Sequence, residues 1–140
     1  TSKAAKERLQ PALKPNNVDK TMSAPVTVII AYDVAFWQYA ERMFPQNPAV
    51  QLAFKDNPAG AETAAFRNGS LQGAYFIVAA RAVGLDCGPM SGFDNTMVDE
   101  AFFAETMFRS NFLCNIGYGD ASKTFKRLPR LDFDVACQVL

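Results

Sequence analysis

The stretch RNGSLQGAYFIVAARAVGLDCGPMSGFDN, residues 67–95, changes character halfway along. From Leu71 to Val83 it is apolar almost all round, the composition of a helix buried centrally or in a subunit interface, and the helical pattern starts at Ala61. Gly69 and Gly73 interrupt it. They would let another helix approach closely, at a cost of roughly 1 kcal/mol each in helix propensity if exposed. Gly84 fits the position that stops a helix. The next residues, GLDCGPMSGFDN (84–95), hold three glycines and a proline, and Asp94 or Asn95 is suited to cap the following helix, DNTMVDEAFF. Glycines permit positive φ and a close backbone approach to a flat ring, while Pro89 removes a donor and stiffens the turn. By composition alone the segment reads first as an ordinary helix-to-helix loop.

Upstream, PVTVIIAYD (25–33) is β-branched and apolar on both faces, as a central buried strand should be. VAFWQYAERMF (34–44) has aromatics at near-helical spacing and should end before Pro45. Between Pro45 and Gly60, three prolines, two asparagines and a glycine mark a loop, either a lid or a plain surface connection. SKAAKERLQPAL reads as a short N-terminal helix running up to Pro15 with no cap region before it, which suggests that the native chain continues upstream; the polar NNVDKTMS follows. Downstream, SNFLCNIGYGD (110–120) alternates as a second strand, with Phe112, Cys114 and Ile116 on one face and Leu113 and Asn115 on the other. The tail is turn-rich and basic until LDFDVACQVL, which is extended or a frayed helix.

The 140 residues suffice for one domain, 1–140, with a real core. Fourteen basic and fourteen acidic side chains cancel without a long single-sign run, so neither nucleic acid nor a membrane surface is the expected partner. Cys87, Cys114 and Cys137 are an odd set without CxxC spacing, which argues against a disulfide framework and a zinc site and fits a reducing cytoplasm. Cys87 and Cys114 read as small buried residues, Asp86 and Asp94 as loop-capping groups, and Phe66, Phe102, Phe103 and Phe108 as core or interface. The absence of histidine excludes Ser-His-Asp and Cys-His catalysis and most catalytic zinc sites, so for an enzyme built on this chain a bound organic cofactor is the economical carrier of the chemistry.

GLDCGPMSGFDN, SNFLCNIGYGD and PRLDFD (129–134) follow one another in the order and spacing of the nitroreductase superfamily. The chain resembles most closely its malonic semialdehyde reductase (Rut-type) branch, over nearly its whole length. The resemblance implies an α+β fold, nitroreductase-like, with a mostly antiparallel central sheet flanked by helices. It implies an FMN-dependent NAD(P)H oxidoreductase of pyrimidine degradation that reduces malonic semialdehyde to 3-hydroxypropionate by ping-pong hydride transfer. Nitroaromatic or quinone reduction is the alternative within that chemistry, and a non-catalytic ligand-binding module the alternative outside it.

The same resemblance implies a homodimer with FMN at the interface. Pro89, Met90, Ser91 and Gly92 take the place of the turn that lies against the flavin, with the Ser91 N–H toward N5. Many relatives carry Glu where Ser91 stands, which leaves the backbone role intact and removes any side-chain role. Asn17 and Lys20 correspond to the family's flavin-contacting Asn and Lys, although by itself Lys20 reads as a solvated side chain. Arg127 and Arg130 correspond to the basic pair at the FMN phosphate, a group suited to the rigid guanidinium fork; Lys123 and Lys126 read as surface charge. Relatives also carry an N-terminal portion with the first strand and further flavin contacts, so that part of the fold is expected to lie outside this chain and to accompany it.

Overall fold

The structure is a computed structural model describing residues 1–140. Its centre is a three-stranded antiparallel sheet in the order β1-β3-β2: β1 is Val26–Asp33, β2 Asp86–Met90 and β3 Phe108–Gly117. The α+β expectation is met. The expected central strand, however, is β1, and in this sheet β1 is an edge; β3 is the strand paired on both sides, opposite Val26–Asp33 on one flank and Asp86–Met90 on the other. β1 is apolar on both faces because both faces of the sheet are covered, whatever its place in the order.

On one face lie α1 (Lys3–Leu9), α2 (Pro15–Ser23) and α6 (Asn95–Phe103). There Leu9, Ala12, Leu13, Phe93 and Val98 close on Leu113 of β3, with Ile29 and Met90 beside it. On the other face lies α5 (Pro58–Ala82), and Ala80, Phe76 and Ile77 pack against Cys114, Ile116 and Phe112. The alternation read in residues 112–116 is therefore a division between two cores.

Gly69 and Gly73 do not break α5, which runs continuously for 25 residues. Their role is close approach to the sheet, not to another helix. A Cβ on Gly69 would come within 3.0 Å of the Tyr32 Cβ, and one on Gly73 within 2.6 Å of the Phe112 ring. Ala61, Ala65, Gly69, Gly73 and Ala80 form the buried stripe of this helix. Its other side, with Leu71, Tyr75 and Val78 at 56%, 77% and 65% exposed, is uncovered within the chain. Phe66 and Phe108 are likewise exposed rather than core, whereas Phe102 and Phe103 are half-buried.

Four local readings are corrected. Residues 45–60 are not one loop, since α4 (Ala49–Lys55) forms inside them and α5 already starts at Pro58; Pro48 and Pro58 sit at the two helix starts, where their missing N–H costs nothing. VAFWQYAERMF splits into a 3₁₀ turn (Phe36–Tyr39) and α3 (Ala40–Met43), with Phe36 edge-on to Phe54 at 5.0 Å. The N-terminal helix has a cap, since the Ser2 side chain accepts from the Ala5 N–H at 3.2 Å. It ends at Leu9 and passes through a 3₁₀ turn, and the polar segment after it, left unassigned by its composition, is helix α2. In the tail only α7 (Phe133–Ala136) is regular. No helix is long and apolar enough to cross a membrane.

Leu113 is fully buried between the strands and α6. Replacing it with Ala should cost about 2–5 kcal/mol, read as a lowered midpoint in urea unfolding; a loss under about 1 kcal/mol would mean that the α6 side of the sheet is not a packed core.

Candidate flavin-contacting wall

Residues 84–95 are more than the helix-to-helix loop that composition suggests. Gly84 ends α5 at φ +86°, in the left-handed region that glycine enters without a Cβ penalty. Asp86–Met90 then pairs as β2 along β3, with Pro89 opposite Cys114. Proline is tolerated there because β2 is an edge strand and needs no second donor. After Met90 the chain leaves the sheet. The Phe93 N–H returns to the Ser91 carbonyl at 3.0 Å, and Asp94 caps α6 through the Met97 N–H at 3.0 Å, as expected of it. The N–H groups of Ser91 and Gly92 make no hydrogen bond within the chain.

Helix α2 holds this turn from the side. The Asn17 side chain, 8% exposed, donates from Nδ2 to the Gly92 carbonyl at 2.8 Å, and the Lys14 N–H reaches the same oxygen at 2.9 Å. Leu13 bridges Phe93, and the Asp94 N–H bonds the Ala12 carbonyl at 2.8 Å. Gly92 is required sterically, since a Cβ there would fall on Asn17 Nδ2. Thr21, fully buried, donates its hydroxyl to the Met90 sulfur at 3.5 Å. Lys20 is exposed on the same helix, and its carbonyl accepts from Asn115 Nδ2 at 3.1 Å.

The structure thus brings Asn17, Lys20, Pro89, Met90, Ser91 and Gly92 together. It does not bring Arg127 and Arg130 to them. Both lie in the exposed tail, where the Arg130 guanidinium turns back on the carbonyls of Leu128 and Pro129. The pairing of Ala12–Lys14 with Gly92–Asp94 was missed, although Pro15 one residue into a helix start signals where α2 begins. The site is an open wall. A cavity of about 770 Å³ lies elsewhere, along α5 beside Tyr32, Phe66 and Arg67, and none of the eight expected residues lines it.

Around the wall, ionisable groups are tuned by structure rather than poised for proton transfer. Burial pushes the Cys114 thiol up to about 11, with the neighbouring Cys87 adding to the shift, so Cys114 does not replace a missing histidine. The Gly119 N–H, followed by the Arg81 guanidinium, lowers the Asp86 carboxyl and ties β2 to the end of β3, the capping role expected of it.

A protein from Stenotrophomonas maltophilia (strain R551-3), provisionally named NADH dehydrogenase/NAD(P)H nitroreductase, is 59% identical over 140 residues, 99% of this chain and 70% of that protein. This chain belongs to the NADH dehydrogenase/NAD(P)H nitroreductase family. It spans about 70% of that relative's length. No protein-family model matches it. Among solved structures, a provisionally named NAD(P)H:FMN oxidoreductase of Staphylococcus epidermidis superposes with a TM-score of 0.82 at 19% identity, covering 100% of this chain and 72% of that one. A nitroreductase of Exiguobacterium sibiricum, also provisionally named and solved with FMN, gives 0.76 at 21% identity over 91% and 69%. These likenesses establish the nitroreductase fold.

Because Gly92 and Asn17 share one contact, their substitutions should couple. Gly92→Ala alone should lose about 1–3 kcal/mol by displacing Asn17. In an Asn17→Ala background the same change should cost at least about 0.5 kcal/mol less. Strictly additive losses in urea unfolding would contradict the clamp.

Proposed function

We propose that residues 89–92, Asn17 and Lys20 form one wall of an FMN site, and that the protein is an NAD(P)H-dependent FMN oxidoreductase. The observation carrying this reading is the turn with two free N–H groups, Ser91 and Gly92, fixed from behind by Asn17. A flat heteroaromatic ring with acceptor atoms along one edge fits such a surface. Gly88 and Pro89 are exposed and present no long side chain, and Gly92 has no room for a Cβ. A ligand of that shape displaces no hydrogen bond when it takes the two N–H groups.

FMN bound here would supply the hydride-carrying ring, reduced by NAD(P)H and reoxidised by the substrate in ping-pong order. The chain's own part is to bind and orient. The Ser91 N–H donates toward N5, a role that needs no particular side chain. Lys20 sets a cation beside the ring edge on which negative charge develops on reduction. Arg127 and Arg130 take the phosphate once the tail folds back on the body or onto a partner subunit. With no histidine and a Cys114 thiol near 11, the proton delivered to product comes from water or from a backbone-held group.

An open wall does not enclose a flavin, and the uncovered apolar side of α5 is the surface on which a second copy would complete the site. The protein is therefore read as a homodimer with FMN at its interface. Resemblance to the Rut-type branch favours malonic semialdehyde as the oxidant, reduced to 3-hydroxypropionate in pyrimidine degradation. The relatives' names, NAD(P)H nitroreductases, favour a nitro compound instead, with quinone reduction as a further alternative within the same chemistry.

Purified protein should be yellow or gain absorbance at about 450 nm on adding FMN. It should then oxidise NADH or NADPH in the presence of semialdehydes, quinones or nitroaromatics, and the ranking of the three separates the two substrate readings. Protein that takes up no flavin would rule out the enzyme reading and leave a ligand-binding module. Arg130→Ala should weaken FMN binding by roughly tenfold or more through the lost phosphate contact; unchanged affinity would remove the tail from the site.

A further inference from the structure

Helix α2 carries Asn17 and Lys20, and its far end is fastened by a side chain from another helix. Lys6 of α1 is only 8% exposed. Its ammonium donates to the Thr21 carbonyl at 2.7 Å and to the Ala24 carbonyl. Both carbonyls belong to the C-terminal end of α2, where a helix leaves acceptors that its own N–H groups cannot reach. No carboxylate pairs with Lys6; the ion pairs of the chain are Lys3–Glu7, Arg81–Asp86 and Lys123–Asp120. Its burial lowers its proton affinity, so the charge is kept inside at a cost, with helix-end dipoles as its partners.

The contact continues into the wall. Thr21, whose carbonyl holds Lys6, gives its hydroxyl to the Met90 sulfur at 3.5 Å and accepts from Asn115 Nδ2 at 3.4 Å. Asn115 in turn donates to the Lys20 carbonyl and accepts from the Thr27 hydroxyl at 2.8 Å. A polar chain therefore runs from α1 through α2 to all three strands and ends one residue before Ser91.

We propose that Lys6 is a positioning residue for the flavin wall, an inference that rests on the FMN reading above. It makes no contact with Asn17, Ser91 or Gly92. Its charge anchors the negative end of α2 and so sets the height of that helix against β2. Asn17 meets the Gly92 carbonyl, and the Lys20 carbonyl meets Asn115, only at that height. Without the cation, α2 shifts, the Asn17–Gly92 bond is lost, and the Ser91 and Gly92 N–H groups no longer hold one orientation.

The test compares FMN binding and the spectrum of bound FMN in the wild type, Lys6→Met, Lys6→Arg and Ile116→Ala. Ile116 lies in the core on the opposite face of the sheet, so its truncation lowers stability without touching α2. Lys6→Met should raise the Kd for FMN by roughly tenfold or more and shift the visible band, while Ile116→Ala stays within about twofold. Lys6→Arg, which keeps the charge and the donors, should recover most of the affinity. Wild-type affinity in Lys6→Met, or a loss no larger than that of Ile116→Ala, would overturn the proposal. If Lys6→Met does not fold, Lys6→Gln decides: weakened binding with an altered band supports the role, and unchanged binding refutes it. A wild type that binds no FMN refutes the functional reading itself, a different outcome from a wild type and a Lys6 variant that bind alike.

Discussion

β3 must satisfy hydrogen bonds on both of its edges and bury side chains on both of its faces, and most of the architecture follows from that. Val26–Asp33 and Asp86–Met90 take the two edges. Leu113 and Cys114, adjacent and both fully buried, each need a cover on an opposite side. The cover over Cys114 is α5, which comes close because Gly69 and Gly73 stand where a side chain would strike Tyr32 or Phe112. The cover over Leu113 is built from α1, α2 and α6. Placing α2 there sets Asn17 against the Gly92 carbonyl, so the wall of the candidate site is a by-product of how one strand is buried.

Much of this was legible in the residues. The alternation of Phe112 to Ile116 assigned the two faces of β3, Gly84 marked the end of α5, and Asp94 the start of α6. What failed, failed for local reasons. Proline and asparagine signal both loops and helix starts, so Pro45–Gly60 read as one loop until the backbone resolved α4 within it. Strand order is set by pairing partners distant in sequence, and apolar richness alone cannot tell the edge strand β1 from the central β3. Asp86–Met90 was hidden because Gly88 and Pro89 are poor strand formers, tolerated on an edge that pairs on one side.

The candidate site divides in the same way. Six of the eight expected residues meet because four are contiguous, Pro89–Gly92, and the packing of α2 over β3 brings Asn17 to them across 75 positions of sequence, with Lys20 on the same helix. Arg127 and Arg130 stand apart, in a tail whose apolar residues, Phe125 at 96% exposed among them, pack on nothing within this chain. No feature of the sequence pointed to Lys6, since an alternation of lysine and glutamate on a short helix reads as solvated surface. Its burial comes from the chain passing back beneath it as α2, a contact between residues 15 and 18 positions apart.

The family and the fold fix the class of protein, and the chemistry rests on whether the turn after β2 faces a flavin. A crystal structure of the protein with FMN bound tests this most directly. The account predicts the ring lying against Pro89–Gly92, with the Ser91 N–H about 3 Å from N5 and Asn17 still holding the Gly92 carbonyl. A flavin seated elsewhere, or one whose N5 is met by a group outside residues 89–92, would contradict it.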